Sequence, residues 1–397
     1  MTRNILRFPF FLSILFLTPS IFAQGTLTPV DPPAPTMKTL DQVEARIIVN
    51  ASNTPGDETN TFIISQPGSY YFTGNITSDS GLHGISIRSD DVTLDLNGYT
   101  LRSGGGGAVR GITVSGTRKG FTVRNGNVRG WTAGGVSAES ATTLAEKLNL
   151  TDNLGSIGLA VGNGSLVKDC VASGNEIGFF GGDRTEFTHC ISTVNTDIGF
   201  NCGSYTVLLD CTASRNTGNG IVAGGSSSII RCSATRNNTG IVAGPGCTVA
   251  ECTVGANVFH GISGGIGSTV RGCTTRGNQV FGITVLGNCQ VLDNTSDGNS
   301  TGGPSGGGVR AVGTGNRIEG NSCTGTPSGF GISVTGTNNL VIRNSTRGNA
   351  PGSNYAIDPG NRYGTIVDLT GNNPNSVSGN SAASTLGTTD PWANFAY

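Results

Sequence analysis

The chain has 397 residues, of which 64 are glycine, 12% are charged and 6% are aromatic. So much glycine and so few bulky side chains exclude a helical bundle or a thick globular core, and they suit a thin core with frequent turns. The 24 basic and 25 acidic residues nearly cancel. A chain without a strong net charge is poorly suited to nucleic acid or an anionic membrane, so the composition excludes these two classes of partner.

The first 23 residues have the pattern of an export signal. Arg3 and Arg7 precede a mostly apolar run, 8–22, which ends beside the small residue Ala23. This run contains two prolines and is shorter than the ~20 residues that a membrane span needs. We therefore expect cleavage after Ala23 and a mature protein without a membrane span, secreted to the extracellular space or the cell surface.

Residues 24–50 are predicted to form a proline-rich tether followed by a short capping helix. Thr39 and Gln42 have the spacing of a capping box, which predicts a helix that continues through Arg46. Leu40 and Val43 would lie on the apolar face of this helix. We expect that face to cover the first coil of the domain that follows.

The centre of the chain, residues 158–299, repeats itself every 20 or 21 residues. A fixed period of this length indicates a solenoid. Glycine followed by an apolar residue begins seven units, at Gly158, Gly178, Gly199, Gly220, Gly240, Gly261 and Gly282. Cysteine keeps the same period at Cys170, Cys190, Cys211, Cys232, Cys252 and Cys273. Asparagine keeps it at Asn175, Asn195, Asn216, Asn237, Asn257, Asn278 and Asn299.

Each unit contains three short apolar stretches without a helical period, which predicts three short strands. Looser units begin at Gly84, Gly111, Gly135, Gly308 and Gly331. Residues 51–370 are therefore predicted to form an all-β parallel β-helix of about 12 or 13 coils with three short sheets. Residues 371–397 would close its end with an aromatic plug, or alternatively present an aromatic sugar platform, formed by Trp392, Phe395 and Tyr397.

Two stretches near the amino terminus resemble a known group of proteins. Residues 66–76 and 90–101, together with the turn at 123–126, are similar to the secreted right-handed parallel β-helix repeat proteins of the pectate-lyase-like superfold. The resemblance covers most of the mature chain and implies the architecture. It implies no single activity, because this fold hosts lyases, hydrolases, epimerases and proteins without known chemistry.

In carbohydrate-active members of this superfold the site lies on the outer face of one sheet. The resemblance implies that this sheet contains the strand after each Gly-apolar pair. That face is predicted to hold no carboxylate, histidine or basic group, whereas hydrolysis needs two carboxyls and a lyase needs a base with calcium or arginine. By alternation its residues are Ala160, Gly162, Phe180, Gly182, Asn201, Gly203, Val222, Gly224, Val242, Gly244, Ser263, Gly265, Thr284 and Leu286.

The periodic cysteines are predicted to form a buried stack of free thiols. Residues at the same position of successive coils have parallel Cα–Cβ directions, which disfavours disulfides although the coils lie ~4.8 Å apart. A linear row without histidine also cannot surround a metal tetrahedrally. Cys202, Cys247 and Cys289 lie elsewhere in their coils, and the stack is predicted to continue in Asn294, Asn321 and Asn344.

The position before each cysteine carries charge, in the order Asp169, His189, Asp210, Arg231 and Glu251. A histidine between two carboxylates suits a metal ligand or a base, but a ladder of opposite charges between neighbouring strands is the favoured interpretation. Next to His189, one turn also contains Asp183, Arg184 and Glu186. The candidate catalytic residues are therefore Asp169, Asp183, Glu186, His189 and Asp210.

Two other surfaces are polar. The amino-terminal end contains His83, Arg88, Asp90, Asp91, Asp95 and Arg102, for which turn formation is a sufficient explanation. The strand after the cysteine position carries Thr and Ser on its outer side, an array that suits ice or a crystalline polymer. That array is interrupted by Arg276, Asp297 and Arg347.

The sequence favours a secreted, non-catalytic β-helix module for surface display, adhesion or polysaccharide contact. Its partner would be a polysaccharide or a cell-surface component, and we expect a monomer without a cofactor. The alternative is a polysaccharide lyase or glycoside hydrolase that acts on an acidic polysaccharide, with calcium as the cofactor that such a lyase would use.

Overall fold

A computed structural model describes residues 46–303, 306–349, 354–368 and 389–397. This part of the chain contains 42 strands and no helix. The predicted export signal, the tether up to residue 45 and all but the last residue of the predicted capping helix lie outside the described residues. No helix in the described ranges is long and apolar enough to cross a bilayer.

Every pairing between strands is parallel, and each coil adds one strand to each of three ladders, called sheets 1, 2 and 3 in chain order. Sheet 1 follows the Gly-apolar pairs. Its fourteen strands are Asn60–Ile64, His83–Ile87, Ile112–Val114, Val136–Ala138, Ile157–Val161, Ile177–Gly181, Phe200–Cys202, Ile221–Ala223, Ile241–Ala243, Ile262–Gly264, Phe281–Val285, Gly307–Val312, Phe330–Thr335 and Tyr355–Ile357.

Two long strands, Arg118–Arg129 and Ala141–Thr151, belong to both sheet 2 and sheet 3 and join them into one surface. The other strands of sheet 2 are Ile47–Ile48, Gly68–Tyr71, Val92–Asp95, Leu166–Lys168, Glu186–Thr188, Val207–Leu209, Ser228–Ile230, Thr248–Ala250, Thr269–Arg271, Gln290–Leu292, Arg317–Glu319, Leu340–Ile342 and Arg362–Tyr363. The others of sheet 3 are Ile76–Thr77, Thr100–Arg102, Val171–Ser173, Ile191–Thr193, Thr212–Ser214, Ser233–Thr235, Thr253–Gly255, Thr274–Arg276, Thr295–Asp297, Ser322–Thr324, Ser345–Arg347, Ile366–Asp368 and Asn394–Ala396.

The predicted all-β parallel solenoid with three ladders is confirmed, and its size is slightly larger than the sequence indicated. Sheet 1 has 14 strands, and therefore the described chain has 14 coils. The sequence-based count of 12 or 13 missed the coil of Asn60–Ile64, because that strand is not preceded by a Gly-apolar pair. Its register is nevertheless regular, with Phe62 beside Ile85 of the next coil.

The core is a thin column of side chains enclosed by the three sheets. Its largest members are Trp131 and a set of phenylalanines, all fully buried. Phe179 stacks on Phe200 of the next coil with ring centroids 5.0 Å apart, and Phe187 meets both rings edge-on. Stacking between coils therefore supplies the core that a single coil cannot build.

The corner between sheets 3 and 1 explains why glycine and asparagine share one period. The Asn216 amide donates to Asn237 Oδ1 at 3.0 Å and accepts from the Asn195 amide at 2.9 Å, and all the periodic asparagines are buried in this way. The first glycine of each unit faces this column: a Cβ on any of the seven would lie 2.6–2.9 Å from an Asn Nδ2. Only glycine leaves room for the amide ladder.

The corner between sheets 2 and 3 holds the periodic cysteines, which are all free and buried. The predicted stack continues as an amide ladder from Asn294 to Asn321 and Asn344. The residue before each cysteine has φ between 51° and 59°, because the chain turns sharply there in the left-handed conformation. The remaining corner, between sheets 1 and 2, buries small hydroxyls and thiols, including Ser227, Cys247 and Ser268, in a similar stack.

The carboxyl-terminal residues do not form the predicted aromatic plug, because their strand lies inside sheet 3 with Ile366–Asp368 on its outer side. Strand Asn394–Ala396 pairs with Ser345–Arg347, and Ala393, Asn394 and Ala396 are buried. Trp392 and Tyr397 are about half-exposed and lie beneath the guanidinium groups of Arg343 and Arg347. Because alternate residues of a strand point to opposite sides, burying the small residues leaves the aromatic rings on the outside.

Candidate functional site

The outer face of sheet 1 is the surface on which the sequence analysis placed any site. Phe180, Asn201, Val222 and Val242 form one half-exposed column in register, as alternation predicts. Ala160 is the exception: it is buried, because register places its methyl group between Ser137 and the larger Phe180.

The glycines assigned to this face lie at the corner that follows each strand. A Cβ there would lie 2.7 or 2.8 Å from a backbone atom of the neighbouring coil. Glycine at these positions is therefore required by close packing between coils, and it does not indicate a bare binding face. The positions concerned are Gly182, Gly203, Gly224, Gly244 and Gly265.

Sheet 1 also carries an imidazole and a guanidinium that the sequence analysis missed. Arg310 lies in register between Thr284 and Ser333 on the outer face. His260 precedes Gly261 at the start of the same sheet, in register with Phe281. The prediction of a face without basic groups was therefore wrong at Arg310, whereas His260 lies at the corner before the strand Ile262–Gly264. Arg310 stands two residues after Gly308, as Thr284 stands two after Gly282, so extending the alternation into the looser units would have found it.

These residues belong to a group that we call the sheet 1 patch: Phe259, His260, Phe281, Arg310 and Phe330. Phe330 is included because it lies two coils from Phe281 at the same position, with Gly307 between them in register. The ring centroids of Phe259 and His260 are 4.0 Å apart, and His260 lies 5.8 Å from Phe281. The Arg310 guanidinium lies over the Phe281 ring at 5.3 Å. Phe281 is buried, while Phe259 and Phe330 are 48% and 37% exposed. The patch thus offers two accessible rings beside a positive charge.

His260 is held in a form that donates a hydrogen bond. Its Nδ1 accepts the backbone N–H of Phe281 at 3.3 Å. Burial, reinforced by the charge of Arg310, lowers the pKa of His260 to about 4, so the ring is neutral at pH 7. A neutral ring whose Nδ1 accepts a hydrogen bond carries its proton on Nε2. His260 is therefore equipped to donate to a ligand, and neither ring nitrogen is free to act as a base.

The charged column that contains three of the predicted catalytic residues lies on the ridge between sheets 2 and 3. His189 lies 3.9 Å from Asp169 and 3.7 Å from Asp210, measured between nearest nitrogen and oxygen atoms. Arg231 forms a bidentate pair with Asp210, with both N–O distances 2.9 Å. The Arg231 guanidinium holds the pKa of Asp210 below its usual value. These residues occupy left-handed turn positions, not strand positions as the sequence analysis assumed.

Asp183 and Glu186 do not join that column. Asp183 caps a turn at the other corner, where its Oδ1 accepts the backbone N–H of Ser204 at 2.8 Å. Glu186 lies on sheet 2 and accepts a hydrogen bond from the Thr188 hydroxyl at 3.2 Å. The strand Glu186–Thr188 separates Asp183 from His189, so the five predicted catalytic residues do not form one site. The described residues contain no group of three or more His, Cys, Asp or Glu placed to hold a metal ion.

Three of the polar residues at the amino-terminal end, His83, Arg88 and Asp95, have structural partners. Arg88 binds Asp57 at 2.8 Å, and hydrogen bonds from Asn60 and Arg88 hold the pKa of Asp57 well below its usual value. Asp95 is buried and binds Arg124 at 3.1 Å. His83 accepts the backbone N–H of Arg110 through Nδ1, and burial lowers its pKa. These contacts account for His83, Arg88 and Asp95 without a ligand, but they do not include Arg102.

Solved structures with a similar chain path share little sequence with this protein. The A-module of mannuronan C-5 epimerase AlgE4 from Azotobacter vinelandii is 14% identical, with 75% of this chain and 91% of that chain covered and a TM-score of 0.45. A double mutant of the periplasmic alginate epimerase AlgG is also 14% identical, with 76% of this chain and 83% of that chain covered and a TM-score of 0.41. The Dettilon tailspike protein gp208 is 15% identical, with 73% of this chain and 61% of that chain covered and a TM-score of 0.32. Because these identities and TM-scores are low, the function has to be argued from the residues of this chain.

Sequence comparison identifies the architecture. No curated protein sequence matches the chain. The family model described as the right handed beta helix region matches residues 110–254, which include the first regular units of the repeat. With 14 strands stacked in parallel in sheet 1 and the same coil repeated in all three ladders, the chain is a right-handed parallel β-helix protein.

Proposed function

We propose that this chain is an exported, non-catalytic β-helix that contacts a polysaccharide through the sheet 1 patch. The observation that carries the proposal is the combination of two accessible phenylalanine rings, a guanidinium and an imidazole N–H along the starting edge of sheet 1. Aromatic rings pack against the apolar faces of sugar rings, and the polar donors fix their hydroxyls.

The neighbouring residues in register extend the patch with hydroxyl groups. Ser263, Thr284 and Ser333 occupy the same outer column as Arg310. Coils lie ~4.8 Å apart, so a polymer that runs along the stack meets one such side chain at every coil. The patch is therefore suited to a repeating ligand, with Arg310 as its single positive charge.

The chemistry of the patch favours binding over turnover. Hydrolysis of a glycosidic bond needs two carboxyl groups on either side of it, and the in-register neighbours of Arg310 are Thr284 and Ser333. The Nδ1 lone pair of His260 is taken by a backbone N–H. Thirteen steps of ~4.8 Å give a rod of about 62 Å, a length that suits display or adhesion at a cell surface.

Affinity electrophoresis in gels that contain plant and algal polysaccharides tests the proposal. We expect at least one polymer to retard the protein, and Phe259→Ala and Arg310→Gln each to weaken that retention about 5-fold or more. Arg271→Gln is the matched control, because Arg271 is an exposed arginine on sheet 2 outside the patch. Retention that is equal in all the variants would overturn the assignment of the patch.

The enzymatic alternative is tested in the same samples by assays of reducing ends and of unsaturated uronate. We expect no turnover by the unmodified chain. Turnover that is abolished by His189→Ala or Asp210→Asn would replace this proposal with a lyase or hydrolase centred on the charged ridge.

A further inference from the structure

A pocket of about 260 Å³ lies on the outer face of sheet 3. It is on a different sheet from the sheet 1 patch and at the other end of the stack, in the first three coils. The strands Ile76–Thr77 and Thr100–Arg102 and the long strand Arg118–Arg129 form it. Its lining consists of Asn75, Ile76, Thr77, Thr100, Arg102 and Arg129.

Two arginines of this pocket are direct neighbours across adjacent strands. Arg102 pairs in register with Arg129, and among the described strand pairings this is the one case in which like charges face each other. Sheet 2 does the opposite in nearby coils, where Asp95, Arg124, Glu146 and Lys168 follow each other in register with alternating sign. Like charges directly opposite each other destabilise a sheet, so the arginine pair has a cost that folding alone does not explain.

The protein does little to neutralise these two charges. The Arg102 guanidinium has no hydrogen bond or ion pair with any described residue. Arg129 reaches only Asp152, at 3.8 Å, and both side chains are more than half exposed. An exposed pair at that distance is weak, and the next residue of the column is the neutral Thr151. Two guanidinium groups are therefore available to one external anion.

The rest of the lining suits a sugar ring that carries the anion. A water molecule occupies ~30 Å³, so the pocket is far larger than a bare ion needs. Ile76 provides an apolar surface, and Thr77 and Thr100 provide hydroxyls. Asn75 is held in place because its Oδ1 accepts the Thr100 backbone N–H at 3.0 Å, which leaves its amide hydrogens to donate. A planar guanidinium pairs with two oxygens of a carboxylate or sulfate at once.

We propose that this pocket binds one anionic sugar unit of a glycan, whose oxyanion lies between Arg102 and Arg129. The shared chemistry is an oxyanion on a sugar ring, either the carboxylate of a uronate or a sulfate ester. The site is independent of the sheet 1 patch, because the two have no residue in common.

Isothermal titration calorimetry of the purified chain tests this with four ligands: the methyl glycoside of glucuronic acid, galactose 6-sulfate, galactose and sodium sulfate. We expect at least one charged sugar to bind about 10-fold more tightly than galactose and than free sulfate. The charged sugar that binds identifies the oxyanion. Arg102→Gln/Arg129→Gln is expected to weaken that binding about 10-fold or more.

The matched control is Arg215→Gln/Arg236→Gln, which removes the same charge from exposed arginines at one turn position of successive coils. We expect this control and Arg310→Gln to bind the charged sugar as the unmodified chain does. An equal loss in the control, or binding of both charged sugars no tighter than that of sodium sulfate, overturns the proposal. Loss in Arg310→Gln alone would assign the sugar to the sheet 1 patch and also overturn it.

Discussion

The asparagine corner and the cysteine corner keep the same period, yet they connect the coils in different ways. Along the asparagine column the amides from Asn153 to Asn278 each donate to the next Oδ1 at 2.8–3.4 Å. These amides and that of Asn299 also donate to a backbone carbonyl. The cysteine thiols face backbone oxygens of their own coil and of the previous one, at 3.2–3.8 Å. One column links successive side chains by directional bonds, while the other fills space.

In the carboxyl-terminal coils, asparagine replaces cysteine at the same position of the coil. The column that holds Cys273 continues in Asn294, whose Oδ1 accepts the Cys273 backbone N–H at 2.9 Å. The following coils keep asparagine, at Asn321 and Asn344. The position in the coil therefore decides that the residue is buried, and the residue type decides how firmly one coil is tied to the next.

Asn216→Leu should produce the largest effect, because it removes several bonds and leaves buried partners unpaired. Asn195 would lose the acceptor of both its backbone and its amide N–H groups, and Ser192 would lose a donor to its carbonyl. Each buried group left unpaired costs about 1–3 kcal/mol, so we expect a loss of about 3–5 kcal/mol in the free energy of unfolding. Denaturant titration followed by circular dichroism measures it. A loss below about 1 kcal/mol would show that the ladder does not tie the coils.

Cys211→Ala in the neighbouring column should have a smaller effect. The change removes one buried sulfur but leaves no strong donor or acceptor without a partner, because the backbone groups of the coil remain paired. We expect a loss of about 1 kcal/mol in the same titration. Equal losses for Cys211→Ala and Asn216→Leu would contradict the distinction between a bonded column and a packed one.

The sequence predicted the interior better than the surface, for a physical reason. Between residues 158 and 299 a constant unit length makes equal positions vertical neighbours, so the columns of Cys170 and Asn175 follow from spacing alone. The step from Gly282 to Gly308 is longer, and there the alternation was not followed as far as Arg310. The left-handed turn at Asp169 and His189 was also missed, since the residue type at this position changes from coil to coil and Gly272 is its one glycine in the cysteine column.

Distances between residues across the sheets likewise could not be predicted from the sequence. Asp183 and His189 are six positions apart in the chain, which suggested one crowded site. The strand between them is extended and places them at two different corners. The arginine pair of the sheet 3 pocket was equally hidden, because Arg102 and Arg129 become neighbours only through coils of irregular length. Regular spacing thus predicts contacts, and irregular spacing conceals them.

A third kind of column, on the outer face of sheet 2, links its coils by ion pairs. A substitution in this column should have the smallest effect on stability. Lys168 Nζ lies 2.8 Å from Glu146 Oε2. The hydrogen bond from Lys168 lowers the pKa of Glu146, and the bond to Glu146 raises the pKa of Lys168. The contribution of a carboxylate with a lowered pKa is present above its unfolded pKa of ~4.3 and is lost as pH falls through its folded pKa.

Lys168→Met is therefore expected to lower the thermal midpoint at pH 7 by less than Cys211→Ala does, and the difference from the unmodified chain should shrink as pH is lowered from 5 towards 2. Differential scanning calorimetry at several pH values measures both. Arg271→Met is the control, because Arg271 stands in the same column between the uncharged Ala250 and Leu292 and should show no such pH dependence. A difference in thermal midpoint between Lys168→Met and the unmodified chain that stays constant down to pH 2 would contradict this. That result would show that the stabilisation by Lys168 comes from packing of its aliphatic stem and not from its ion pair with Glu146.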